Sequence, residues 1–128
     1  MSETEQLFLN KLDRVVELIK SKNISLVDEL WGNGDFALVG SERGEICKTR
    51  EDLHAKMRSL FSNPATFTFE WSERTVKVVG DAAWIFAAGD FVVSGAQGEV
   101  RRPYLLSCIF EKAGGHWWWR QFFGSEPA

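Results

Sequence analysis

The sequence predicts an α+β domain: three N-terminal helices on the concave face of a strongly curved antiparallel sheet, enclosing a cone. Three observations carry this. Apolar residues recur at helical spacing as far as Phe61 and at a period of two from Ala65 onward. The second half breaks only at short glycine turns, Gly80-Asp81, Gly95 to Gly98 and Ala113-Gly114-Gly115, the mark of a meander. Ten Phe and six Trp in 128 residues demand a wide apolar interior or a large interface. The length suits one domain, 1–128, with no linker or repeat.

The first helix opens at Ser2 with Glu5 as a capping box, and Phe8, Leu12, Val15, Val16 and Ile19 form its apolar stripe. Lys20 and Lys22 suit its negative end, and Asn23 stops it. Ser25 with Asp28 starts a short second helix through Leu30 and Trp31, which Gly32-Asn33-Gly34 breaks. Asp35 to Gly40 reads as a short strand and Ser41 to Lys48 as a polar connection. Thr49, followed by Glu51 and Asp52, caps a third helix whose stripe is Leu53, Met57, Leu60 and Phe61, ended by Asn63-Pro64.

Phe67, Phe69 and Trp71 then alternate with polar residues, but Val76 and Val78 have the opposite phase, so a bulge is expected near Glu73-Arg74. Ala82 to Ser94 is apolar on both faces, and Val100 to Lys112 is the next strand. The last strand runs from Trp117 to Phe123. Strict alternation puts Trp117, Trp119, Gln121 and Phe123 on one face and Trp118, Arg120 and Phe122 on the other. Both sets are rich in aromatics, so both need cover. The first is assigned to the cone and the second to a convex face buried against a second copy of the chain, where Arg120 can stack on a Trp.

Bulk properties exclude several classes. A net charge of -3 gives no field for nucleic acid or an anionic membrane. No apolar run approaches a spanning helix. The acidic start, Met1 to Gln6, lacks the pattern of a secretory signal, so the expected compartment is the cytoplasm. Cys47 and Cys108 are too few for a disulfide framework and match no metal spacing; no metal or cofactor is expected.

The order of elements resembles the NTF2-like superfamily, in its SnoaL-like and ketosteroid-isomerase-like branch. The resemblance is carried by Leu38-Val39-Gly40-Ser41-Glu42, by Gly80-Asp81-Ala82-Ala83-Trp84, and by Glu111 to Trp117 with the tail Phe123-Gly124-Ser125-Glu126-Pro127. It implies the cystatin-like cone and a small-molecule pocket between helices and sheet. It also implies positions for isomerase chemistry, and these are mostly vacant. The aspartate that isomerases of this superfamily carry at the end of the first strand falls at or near Gly40. Their second acidic group falls near Ser107, a weaker donor. The tyrosine of their first helix has no counterpart, and the histidine common on the last strand of SnoaL-like members falls at Phe123. Steroid-isomerase chemistry is therefore not expected.

The candidate site residues follow. Asp90 interrupts an apolar strand; it is either a base inside the cone, the one catalytic candidate, or half of an ion pair with Arg102 or Arg120. Apolar lining is expected from Trp31 and Phe36, from Phe69 and Trp71, from Trp84 and Phe86, and from Trp119 and Phe123. Gln121, Ser107 and Tyr104 are the polar candidates, with Gln121 otherwise bonded to a neighbouring side chain and Tyr104 otherwise an ordinary strand aromatic. His54 and His116 read as solvated, Asp35 as a turn residue, and Glu42 and Glu45 as members of a polar loop near the opening of the cone. The expected function is binding of a small apolar or aromatic ligand by a homodimer. A pocket of this kind gives micromolar affinity from burial alone, at about 25 cal/mol per Å2. Two alternatives stand beside it: a metal-free cyclase, dehydratase or isomerase for a small carbonyl or polyketide-like compound, and a purely structural association domain.

Overall fold

A computed structural model describes residues 2–42 and 44–127. Among them are three helices, α1 (Glu3–Lys20), α2 (Leu26–Trp31) and α3 (Arg50–Phe61). The six strands are β1 (Ala37–Val39), β2 (Ile46–Cys47), β3 (Thr66–Val79), β4 (Ala82–Gly95), β5 (Gly98–Ala113) and β6 (His116–Ser125). They form one curved, unclosed sheet in the order β2-β1-β6-β5-β4-β3. The β1–β6 pairing is parallel and the others are antiparallel. The fold is α+β and cystatin-like, as the sequence predicts.

The predicted capping box at Ser2 forms, and the predicted cap at Thr49 is also a box, with Asp52. The Ser2 hydroxyl accepts from the Glu5 amide at 3.1 Å, and the Thr49 hydroxyl accepts from the Asp52 amide at 3.1 Å. The second helix starts differently from expectation. Ser25 makes no side-chain cap; the Asn23 side chain accepts from its amide at 3.0 Å, and Asp28 pairs with Arg50. Part of the expected polar connection, Ile46–Cys47, is a strand beside β1. Two residues are too short to show a period.

The helices bury their stripes on the inner sheet face. Phe8 of α1 lies 5.0 Å from the Phe110 ring and 4.9 Å from that of Trp117. In β4 the inner row is Ala83, Ile85 and Ala87, all fully buried, and the outer row includes Trp84 and Phe86, 40% and 39% exposed. The register of β3 against β4 shifts between Trp71 and Glu73, a bulge beside the expected place.

A second shift, in β6, overturns part of the strand reading. Ile109 faces Gln121 while Phe110 faces Trp119, so Arg120 is an extra residue and the alternation flips beyond it. Trp117 and Trp119 point inward as expected, but from there on the inward residues are Phe122 and Gly124, both buried, and Phe123 is 41% exposed outside. Trp118 and Arg120 are covered by their own chain. Gly32 packs under the Trp118 ring, whose indole N–H donates to the Ala113 carbonyl at 3.0 Å. The Arg120 guanidinium bonds Glu111, Asn33 and the Asp35 carbonyl at 2.8, 2.6 and 3.2 Å. Bent over the sheet edge, the segment after α2 thus covers the surface assigned to a second copy.

Candidate functional site

Between the helices and the inner sheet face lies a cavity of about 340 Å3. Its closed end is apolar, formed by Val15 and Ile19 of α1, Leu26 and Leu30 of α2, Leu38 of β1 and Phe122 of β6. Phe67 and Phe69 of β3, with Phe91 and Val93 of β4, form one aromatic wall; Phe69 and Phe91 lie 5.0 Å apart. Most of the polar lining lies where elements begin or end. Ser41 and Glu42 follow β1, Glu45 precedes β2, Asn63 follows α3 and Glu126 follows β6, while Arg102 lies within β5 opposite Phe91. Lys56 reaches in from α3.

These groups are organised. Lys56 pairs with Glu45, both about three-quarters buried, and the Glu42 amide donates to Glu45 Oε1 at 2.7 Å. The Ser41 hydroxyl donates to Glu126 Oε1 at 3.1 Å. Arg102 has no ion-pair partner among the described residues, whereas Arg101 on the outer face serves Glu70, Asp90 and Glu99. Tyr104 is buried, its ring 5.0 Å from Phe69, and its hydroxyl packs on Gly124. Burial pushes the phenol pKa up, and the Glu45 and Glu126 carboxylates push it the same way, so the hydroxyl keeps its proton.

Of the ligand-binding candidates named from the sequence, Phe69 and Tyr104 line this cavity, as do Glu42 and Glu45 of the loop expected near its opening. Trp31 and Phe36 are buried against each other, 5.6 Å apart and edge-on, behind its wall. Trp71 stacks on Phe69 at 5.2 Å, and Trp119 lies 4.4 Å from Phe110; neither borders the cavity, and both indole N–H groups lack a partner among the described residues. Trp84, Phe86, Ser107, Gln121 and Phe123 belong to the outer face. Asp90 is also outside, 42% exposed and 3.6 Å from Arg101, on a shallow outer cleft with Glu70 and Trp71. The ion pair it makes is with Arg101, not Arg102 or Arg120.

Sequence reasoning missed Lys56 and Arg102 as lining, and placed Glu45 only in a loop near the opening. A signal was present in Gly40, one residue past β1, and in Gly124, within β6. Glycine inside a strand marks a close approach of another group. A side chain on Gly40 would put its Cβ 2.7 to 2.9 Å from Glu45 Cβ, Cδ and Oε1, and one on Gly124 would collide with the Tyr104 hydroxyl.

A family profile described as a SnoaL-like domain matches residues 9–128. The chain belongs to the SnoaL-like domain family. Solved structures show the same fold. A candidate dehydratase of the NTF2-like family from Streptomyces avermitilis superposes with a TM-score of 0.83 over 98% of this chain and 96% of its own, at 13% identity. An NTF2-like superfamily protein from Salmonella enterica serovar Typhimurium gives 0.81 over 97% and 91%, at 13% identity. A candidate calcium/calmodulin-dependent protein kinase II association domain from Xanthomonas campestris gives 0.79 over 99% and 89%, at 17% identity. At such identities the likeness is one of fold. No curated protein matches the sequence. Among the described residues no helix is long and apolar enough to cross a membrane.

Proposed function

We propose that this SnoaL-like domain binds one small amphipathic molecule in its cone and works as a homodimer. The observation that carries the reading is the segregation of the cavity wall, apolar at the closed end and hydrogen-bonding at the rim. Such a cavity takes a ligand apolar end first and orients it by its polar end. Its volume, about 340 Å3, suits a bicyclic aromatic with a short substituent.

Support for the second copy comes from the outer face. Trp84, Phe86, Leu105, Ile109 and Phe123 are each 37 to 41% exposed and lie on three neighbouring strands, with Trp84 opposite Ile109 and Phe123 opposite Ser107. A contiguous apolar patch on a sheet face is the kind of surface a two-fold axis buries. This patch replaces Trp118, Arg120 and Phe122 as the proposed interface.

Naphthalene tests the cavity. Held at ten times its Kd it adds about 1.4 kcal/mol, a rise of about 5 °C in Tm for a domain of this size. Leu60→Trp, which fills the cavity from α3, is expected to abolish the rise. A wild-type Tm that saturating naphthalene leaves unmoved would exclude the reading. Sedimentation tests the dimer: Phe86→Glu is expected to give a folded monomer, and a wild-type monomer at all concentrations removes this part of the proposal.

A further inference from the structure

Four strands meet in one row on the inner face at the cavity rim. Glu45 lies opposite Gly40, whose amide donates to the Glu45 carbonyl at 2.6 Å. In the parallel register of β1 on β6, Leu38 faces Phe122 and Val39 faces Phe123, so the next position sets Gly40 beside Gly124. Gly124 in turn faces Leu106, two residues along the inner row from Tyr104. The row therefore reads Glu45, Gly40, Gly124, Leu106. Its middle is a bare shelf of backbone, the two glycines about 4.8 Å apart, one strand spacing. From one end the Glu45 carboxyl folds down over Gly40, and from the other the Tyr104 hydroxyl comes down on Gly124. Neither glycine has a positive φ, so what each position requires is space.

We propose that Glu45 and Tyr104, laid side by side on the Gly40–Gly124 shelf, are a two-point reader of a ligand hydroxyl, making a mostly apolar alcohol or phenol the molecule the cavity selects. This rests on the cavity-binding reading above. A carboxylate only accepts hydrogen bonds, and a phenol that keeps its proton donates one. A hydroxyl is the smallest group that answers both, donating to Glu45 and accepting from Tyr104 through one oxygen. A ketone or ether answers only Tyr104. A ligand carboxylate meets three acids at the same rim, Glu42, Glu45 and Glu126, against two cations, Arg102 and Lys56, the second already paired with Glu45. Lys56 and the Glu42 amide take up part of the Glu45 carboxylate and fix it, and a carboxylate has acceptor sites to spare. Gly40 and Gly124 act through these two side chains and are positioning residues.

Three probes of one shape separate the possibilities: naphthalene, 2-methoxynaphthalene and 2-naphthol. Wild type is expected to bind 2-naphthol about tenfold more tightly than 2-methoxynaphthalene, the loss of one charge-assisted hydrogen bond. Glu45→Gln, Tyr104→Phe and Gly40→Ala should each cut that preference to twofold or less, with naphthalene binding as the check that each variant is folded. Photoexcited 2-naphthol gives its proton to a neighbouring carboxylate, so naphtholate emission from the complex should fall in Glu45→Gln. Equal wild-type affinity for 2-naphthol and 2-methoxynaphthalene, with naphthalene bound, overturns the reader and leaves the cavity reading standing. A preference that survives both Glu45→Gln and Tyr104→Phe also overturns it. Failure of all three probes to bind the wild type removes the cavity reading and the reader together.

Discussion

Single glycines mark where the strands let something come close, and the neighbour in each place sets the cost of a methyl group. At Gly89 the neighbour is backbone. An added Cβ would collide with the Glu70 carbonyl and lie 2.8 Å from Trp71 Cα, at the bulge where β3 crosses β4. Backbone cannot rotate away as a side chain can, so Gly89→Ala should cost about 3 kcal/mol in urea unfolding. Gly95 has an ordinary backbone and only Ala65 Cβ nearby, at 3.8 Å. Gly95→Ala should change stability by less than about 1 kcal/mol, in the stabilising direction, because it restricts the unfolded chain. Equal losses at the two positions would mean that the close approach at Gly89 is not what requires glycine there.

At the scale of elements, helix starts and strand phase decide what a sequence discloses. Thr49→Ala removes a formed cap and should cost about 1 kcal/mol, whereas Ser25→Ala removes none and should be nearly neutral in the same denaturation series. The caps at Ser2 and Thr49 were legible because a cap is a local pattern a few residues long. The bulge in β3 was legible because polar residues between Phe67, Phe69 and Trp71 make its phase visible. The bulge at Arg120 was not. With aromatics on both faces, and with Arg120 and Gln121 giving one polar residue to each, β6 shows no polar alternation that would reveal a slip, and one extra residue exchanges inside for outside. That exchange took Gln121 and Phe123 out of the expected lining and put Phe122 in. Much of the rim was hidden for a different reason: Glu45 meets the glycine shelf through a two-residue strand that has no period. The phase flip has a direct check. Phe122→Ala should lower unfolding free energy by about 3 to 4 kcal/mol, and Phe123→Ala, from the outer face, by less than about 1 kcal/mol once the protein is measured as a monomer.

For the whole molecule, the charge pairs and the buried acids respond to different ends of the pH scale. Most ion pairs here, such as Arg101 with Glu70 and Arg14 with Glu29, are well exposed and contribute little to stability. The interior instead holds three weak acids in neutral form. Burial raises the pKa of Cys108, of Tyr104 and, against the pull of Lys56, of Cys47. The ordinary values are 9.0 for the thiols and 10.0 for the phenol. Between those values and the higher folded ones, the folded chain binds more protons than the unfolded chain, so stability falls as pH rises. Their contribution is complete below about pH 9 and is lost above it, at up to about 1.4 kcal/mol per pH unit for each group. Cys108, fully buried and shifted by burial alone, should dominate the thiol part. Urea midpoints should therefore be flat from pH 7 to 8.5 and fall toward pH 10.5. Cys108→Ala should start lower, for the lost sulfur, and descend less steeply, so that the two curves converge. Parallel curves across that range would show that the Cys108 thiol does not titrate with unfolding, and that the alkaline loss comes from elsewhere in the domain.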